Sequence, residues 1–119
     1  MYRVASLVLG SLLGGLVIDT ALVDTAFAEH VRATWYGHEL GGRKTASGQI
    51  FNPHGLTAAH RSLPFGTCLL VGNPRTGRSV RVTVNDRGPF TRGNSLDLSL
   101  GAARSIGMRS TQIVSMRRC

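Results

Sequence analysis

Asp86 and Asp97 fall within one turn-rich stretch, "VNDRGPFTRGNSLDLS", in a chain with fourteen Lys plus Arg and only six Asp plus Glu. Two carboxyl groups so placed can divide the work of a proton transfer, one giving a proton and the other taking one. Asp97 sits between Leu96 and Leu98. A carboxyl among apolar neighbours is poorly solvated, so its pKa rises and it suits the role of acid. Asp86 closes a run of alternating residues and enters a turn, a position from which side chains line grooves. Structural roles compete for both: an Asx turn toward Gly88 or pairing with Arg87 for Asp86, and a helix cap or buried structural acid for Asp97. His60 is the third titratable candidate, with plain packing as its alternative.

The elements that must hold these residues read as short strands and turns. "TCLLVGN", "PRTG" and "RSVRVTVND" give strand, turn and strand, with Val80, Val82 and Val84 on one face and Arg81 and Thr83 on the other. "VRATWYG" alternates loosely and stops at Gly37, and "ELGGRKTASGQ" reads as a surface loop. "TAAHR" reads as one helical turn ended by the Leu63-Pro64 step. Ser99 can cap a short helix from Leu100 to Ile106, with Gly107 just past its end, and "TQIVSMRRC" closes as a strand. The sum is an all-β domain with one or two short helices, a small barrel or sandwich.

Met1-Tyr2-Arg3, the apolar run Val4 to Ile18 and Ala26-Phe27-Ala28 have the pattern of a secretory signal peptide, residues 1–28, with an uncleaved N-terminal anchor as the alternative. The expectation is a periplasmic or secreted domain, residues 29–119, with no membrane attachment after cleavage and no cysteine near the cleavage point for a lipid. Cleavage removes Arg3, Asp19 and Asp24, so the exported part carries one positive charge more than the +8 of the whole. Its carboxylate side chains are Glu29, Glu39, Asp86 and Asp97. A domain of this size has a marginal core. Cys68 and Cys119 offer a disulfide, which an exporting compartment permits; two free thiols are the alternative. No C-x-x-C is present and the four histidines are scattered, so no metal or other cofactor is expected. Dispersed arginines and export argue against nucleic acid and for an anionic extracellular polymer.

"ATWYG", "GRKTASGQIF", "LTAAHRSLPFGT", "NPRTGRSVRVTVNDRGPFTRG" and "LDLSLGAARSIGM", in this order, resemble the rare lipoprotein A family of septal lytic transglycosylases. The resemblance implies a six-stranded double-psi β-barrel, a monomer, and non-hydrolytic cleavage of peptidoglycan between N-acetylmuramic acid and N-acetylglucosamine. It implies catalytic roles for Asp86, Asp97 and His60, the last orienting or charging an aspartate. A lytic transglycosylase needs no enzyme nucleophile or water: an acid protonates the leaving oxygen, and the muramic acid's own 6-hydroxyl attacks the anomeric carbon. Gln49 and Asn52 stand where the family pattern reads Glu and Asp. An amide hydrogen-bonds a sugar but exchanges no proton near neutral pH.

The remaining groove residues follow from their chemistry. Trp35 and Tyr36 can stack on a pyranose, with core packing as the alternative for at least one of them. Thr45, Ser47, Gln49 and Asn85 offer donors and acceptors to hydroxyl and acetamido groups. Arg43 or Arg87 can meet the lactyl carboxylate. A non-catalytic, expansin-like binding or wall-loosening module is the alternative function. The expectations are that Asp86, His60 and Gln49 surround one cleft and that the two sulfurs lie within bonding reach.

Overall fold

The computed structural model describes residues 28–119; the signal-peptide pattern, apart from Ala28, lies outside the described residues. Six strands close a barrel: β1 (Glu29–Tyr36), β2 (Thr57–Ala59), β3 (Cys68–Asn73), β4 (Arg78–Asp86), β5 (Leu96–Ser99) and β6 (Gln112–Arg118). Around the barrel their order is β1-β5-β2-β4-β3-β6. β1 with β5 and β2 with β4 run parallel, and the other four pairings are antiparallel.

The alternation read from β4 points Val80, Val82 and Val84 inward, where Val80 and Val82 register with Val71 and Leu69 of β3. Val114 and Met116 of β6, Leu96 and Leu98 of β5, and Ala33 of β1 complete the core. The short helix α1 (Leu100–Ser105) adds Ala102 and Ala103, and Ile106 follows it inward. Ser99 caps α1 as expected, accepting from Ala102 N at 3.2 Å while its hydroxyl donates to Gly55 O at 2.6 Å. Asn73, almost fully buried, ties the far end of α1 by donating to Ile106 O at 2.8 Å.

"TAAHR" is not a helical turn. Thr57 to Ala59 form β2, inserted between β4 and β5, with Ala58 and Ala59 buried. Alanine favours helix locally, but pairing on both edges and close packing decide the conformation here. The cysteines are disulfide-bonded, with α-carbons 5.4 Å apart, and Cys119 N donates to Cys68 O at 3.1 Å. The bridge fastens the chain end beyond β6 to the start of β3.

Candidate active site

A bulge builds the site. Ala58 registers with Val84, and Ala59 registers with Asp86, so Asn85 is passed over and two residues of β4 oppose one of β2. Strict alternation would turn Asp86 inward with Val84; the extra residue rotates it to the outer face. Ala59 also registers with Asp97 of β5, and Asp97 with Thr34 of β1. Residues in register share a face. Thr34, Asp97, Ala59 and Asp86 therefore form one outward row across four strands. The two aspartates lie two strand spacings apart, roughly 10 Å between α-carbons.

Both line one groove of about 410 Å³, with Trp35, Tyr36, Pro89 and Phe90 among its walls. Asp97 is half-buried, and Thr34 Oγ1 donates to its Oδ1 at 2.9 Å. Burial is the main influence on its carboxyl and outweighs the Thr34 hydrogen bond, which favours the charged form. The negative charge of Asp86 adds to burial. Together they push the carboxyl from an ordinary 3.8 up to about 6. Asp86 is clamped differently: its Oδ1 accepts from Ala46 N and Arg87 N, each at 2.9 Å, which leaves Oδ2 for the groove.

The hairpin carrying Arg43 to Phe51 closes against this end of the barrel. Thr45 N donates to Gln49 O at 2.8 Å, and Ser47 N to Asn85 O at 3.3 Å. Asn85 is buried in the bulge and donates from Nδ2 to Gln49 Oε1 at 3.1 Å, while its Oδ1 has no partner among the described residues. Gln49 thus reaches the bulge beside Asp86. Thr45 and Ser47 spend their hydroxyls on each other at 2.9 Å. Arg43 is exposed on the hairpin and does not line the groove.

Tyr36 stacks on Phe51, centroids 4.7 Å apart. Its hydroxyl is buried without a hydrogen-bond partner among the described residues. Burial first, then the charges of Asp86 and Asp97, hold the phenol protonated far above its ordinary range; the neighbouring Thr57 hydroxyl works the other way, though its geometry falls short of a hydrogen bond. Trp35 is 39 % exposed and lines both the groove and an adjoining pocket with Glu39 and Arg104. The two hollows meet at Trp35 and Tyr36, an apolar platform beside the acids.

His60 is not brought into this groove. Its backbone N donates to Asp86 O at 3.2 Å, but its ring turns away, and Nδ1 accepts from Ser62 N and Leu63 N at 3.1 Å each. The ring lines a separate pocket with Glu29, Ser62 and Met116. Burial, then Arg61, lower its pKa against the opposing pull of Glu29. Of the three residues expected around one cleft, Asp86 lines the groove, Gln49 reaches the Asn85 bulge next to it without lining it, and His60 faces the separate pocket. Arg87 lines the groove, but its Nη1 donates to His60 O and Leu63 O at 3.3 and 2.8 Å, and the guanidinium lies 3.9 Å over the Phe65 ring. Thr34 escaped the sequence reading, because only the β1–β5 register shows which residue meets Asp97.

A closed six-stranded barrel with two parallel pairs and an acid-bearing groove defines the double-psi β-barrel class. The apo expansin of Clavibacter michiganensis superposes with a TM-score of 0.64 at 26 % identity, over 78 % of this chain and 50 % of that one. Its variant solved in complex with cellohexaose gives 0.61 at the same identity, over the same shares of the two chains. Within that class, residues 28–117 match the family described as lytic transglycolase, and the chain belongs to it. A probable endolytic peptidoglycan transglycosylase RlpA of Synechocystis is 58 % identical over 81 residues, 68 % of this chain and 25 % of that protein. The endolytic peptidoglycan transglycosylase RlpA of Pasteurella multocida is 45 % identical over 99 residues, 83 % of this chain and 34 % of that protein. The chain thus spans a quarter to a third of these relatives' length.

Proposed function

We propose that this barrel is an exported, monomeric lytic transglycosylase, periplasmic or secreted, that cuts peptidoglycan glycan strands within the chain. The observation that carries the reading is the groove in which Asp97 and Asp86 flank Ala59, with burial pushing the Asp97 carboxyl up to about 6. Asp97 gives its proton to the glycosidic oxygen as the bond from the muramic anomeric carbon breaks. The 6-hydroxyl of the same sugar closes on that carbon and loses its proton to Asp86 Oδ2. The products are a 1,6-anhydro-muramic end and a free 4-hydroxyl, and no water is consumed. Trp35 and Tyr36 carry the apolar faces of neighbouring sugars, and the RlpA relatives' names support the substrate.

The second reading, a non-catalytic wall-binding module, is favoured by one observation: Gln49 reaches the bulge with an amide where the family pattern has an acid. Asp97→Asn and Asp86→Asn separate the two. The catalytic reading predicts that each lowers cleavage of denuded strands by about 10²-fold or more with binding retained. Strand binding without cleavage in the unaltered protein supports the second.

A further inference from the structure

The barrel's two troughs differ in charge: carboxyl groups and arginine share one side, and among the described residues the charged groups lining the other are only basic. The groove centres on β5 and β2 and holds Asp97 and Asp86, while Glu39 lines the pocket adjoining it. On the far side, centred on β3 and β6, lies a second trough of about 410 Å³. Its floor is an outward row across four strands: Ser79 of β4, Gly72 of β3, Ser115 of β6 and His30 of β1. Small side chains make it a channel, and a β-carbon at Gly72 would come within 2.6 Å of Ser115 Oγ. Arg78, Arg117 and His30 line it, and no carboxylate among the described residues does. One row along, Arg81 and Arg117 flank Leu70, all on the outer face. Glu29, beside His30, has the opposite parity and lines the His60 pocket instead.

We propose that this basic trough is a second binding site, for peptidoglycan strands that still carry their stem peptides, distinct from the catalytic groove. The proposal rests on the peptidoglycan substrate assigned above and extends it. Stem peptides cluster several carboxylates on each substituted sugar. Guanidinium groups pair with carboxylates in charge-assisted, often bidentate fashion, and in the trough no carboxylate of the described residues competes for them. Arg117 spends Nη1 on Arg118 O at 3.2 Å and keeps its other nitrogens for a ligand. The barrel would thus rest on peptide-bearing wall while its groove works on bare glycan.

The test is co-sedimentation of the purified, disulfide-intact protein with intact sacculi over a range of salt. Sedimentation should weaken steeply as salt screens the exposed charges. It should also weaken at least about tenfold in Arg78→Glu/Arg117→Glu and when the sacculus carboxylates are amidated. Ser79→Glu adds a negative charge at an exposed position without removing any arginine contact, so it should reduce sedimentation even if the double variant folds poorly. Cleavage of soluble denuded strands by Ser79→Glu should equal that of the unaltered protein, and Asp86→Ala/Asp97→Ala should sediment normally. These two arms keep a failure of the trough separate from a failure of the transglycosylase reading. Sedimentation unchanged by Ser79→Glu, by salt or by amidation overturns the proposal. So does a change of oligomeric state in the trough variants with sedimentation intact, which would make this face a contact with a second copy.

Discussion

Asp86 and Asp97 stand on either side of Ala59, each in register with it, although strict alternation along β4 would bury Asp86 beside Val84. The single unpaired residue, Asn85, turns the carboxylate outward and into the groove. The two acids then differ by environment. Asp97 is desolvated and inclined to hold a proton, and Asp86 is clamped by two backbone N–H groups. That asymmetry underlies the proposed roles of Asp97 as donor and Asp86 as acceptor.

Asp97→Asn should remove cleavage and raise thermal stability at pH 7. In the folded state the Asp97 pKa lies above its unfolded value, so the folded protein binds more protons between about 4 and about 6. Its contribution to stability is therefore lost as pH rises through that window. Melting curves should show the variant gaining a few degrees on the unaltered protein above pH 6, with the gap closing near pH 4. An equal gap at both ends contradicts the assignment.

Thr34→Val deletes the hydrogen bond that favours the charged form of Asp97. In the proposed mechanism Asp97 acts in its protonated form, so activity should fall as pH rises through about 6. The variant should carry that falling limb to higher pH with little change in KM. A limb that stays in place means another group titrates.

Gln49→Glu should raise cleavage. Asn85 Nδ2 already donates to Gln49 Oε1, and a carboxylate accepts the same bond, so the hairpin keeps its seat while gaining an acid. Rates on denuded strands decide this; no gain would show that the amide is not the limiting group.

Much of the scaffold was legible in the residues. Alternation in "RSVRVTVND" and the "PRTG" turn predict the β3–β4 hairpin, and Ser99 and Gly107 bracket α1. Resemblance supplied the barrel. What stayed hidden is decided by register rather than by local pattern. The bulge at Asn85 interrupts the period that made β4 recognisable. β2 is three residues long and stabilised from both edges, so its alanines read as helix. Thr34 meets Asp97 across 63 positions of sequence. His60 adjoins Asp86 through the backbone, yet its ring caps the following turn, which no motif discloses.

Gly101→Ala should destabilise the fold by roughly 1–3 kcal/mol through overpacking. A β-carbon there would lie 2.6 Å from His54 O and 3.0 Å from Gly55 O, both backbone atoms of the loop that Gly101 N holds through Pro53 O. Denaturant melts measure it; a neutral result would mean the loop yields.

Replacing both Cys68 and Cys119 by serine should cost on the order of 4 kcal/mol in the loop-entropy account. The span closed is 51 residues, and it includes β4, β5 and β6. Chemical denaturation of the two forms checks this, with a loss below about 1 kcal/mol speaking against the account.

The most direct test is end-group analysis by mass spectrometry of denuded peptidoglycan strands digested with the purified protein. The account predicts new 1,6-anhydro-muramic ends, lighter by one water than hydrolytic ends, and their absence with Asp86→Ala/Asp97→Ala. Reducing muramic ends, or strands bound and left uncut, would contradict it.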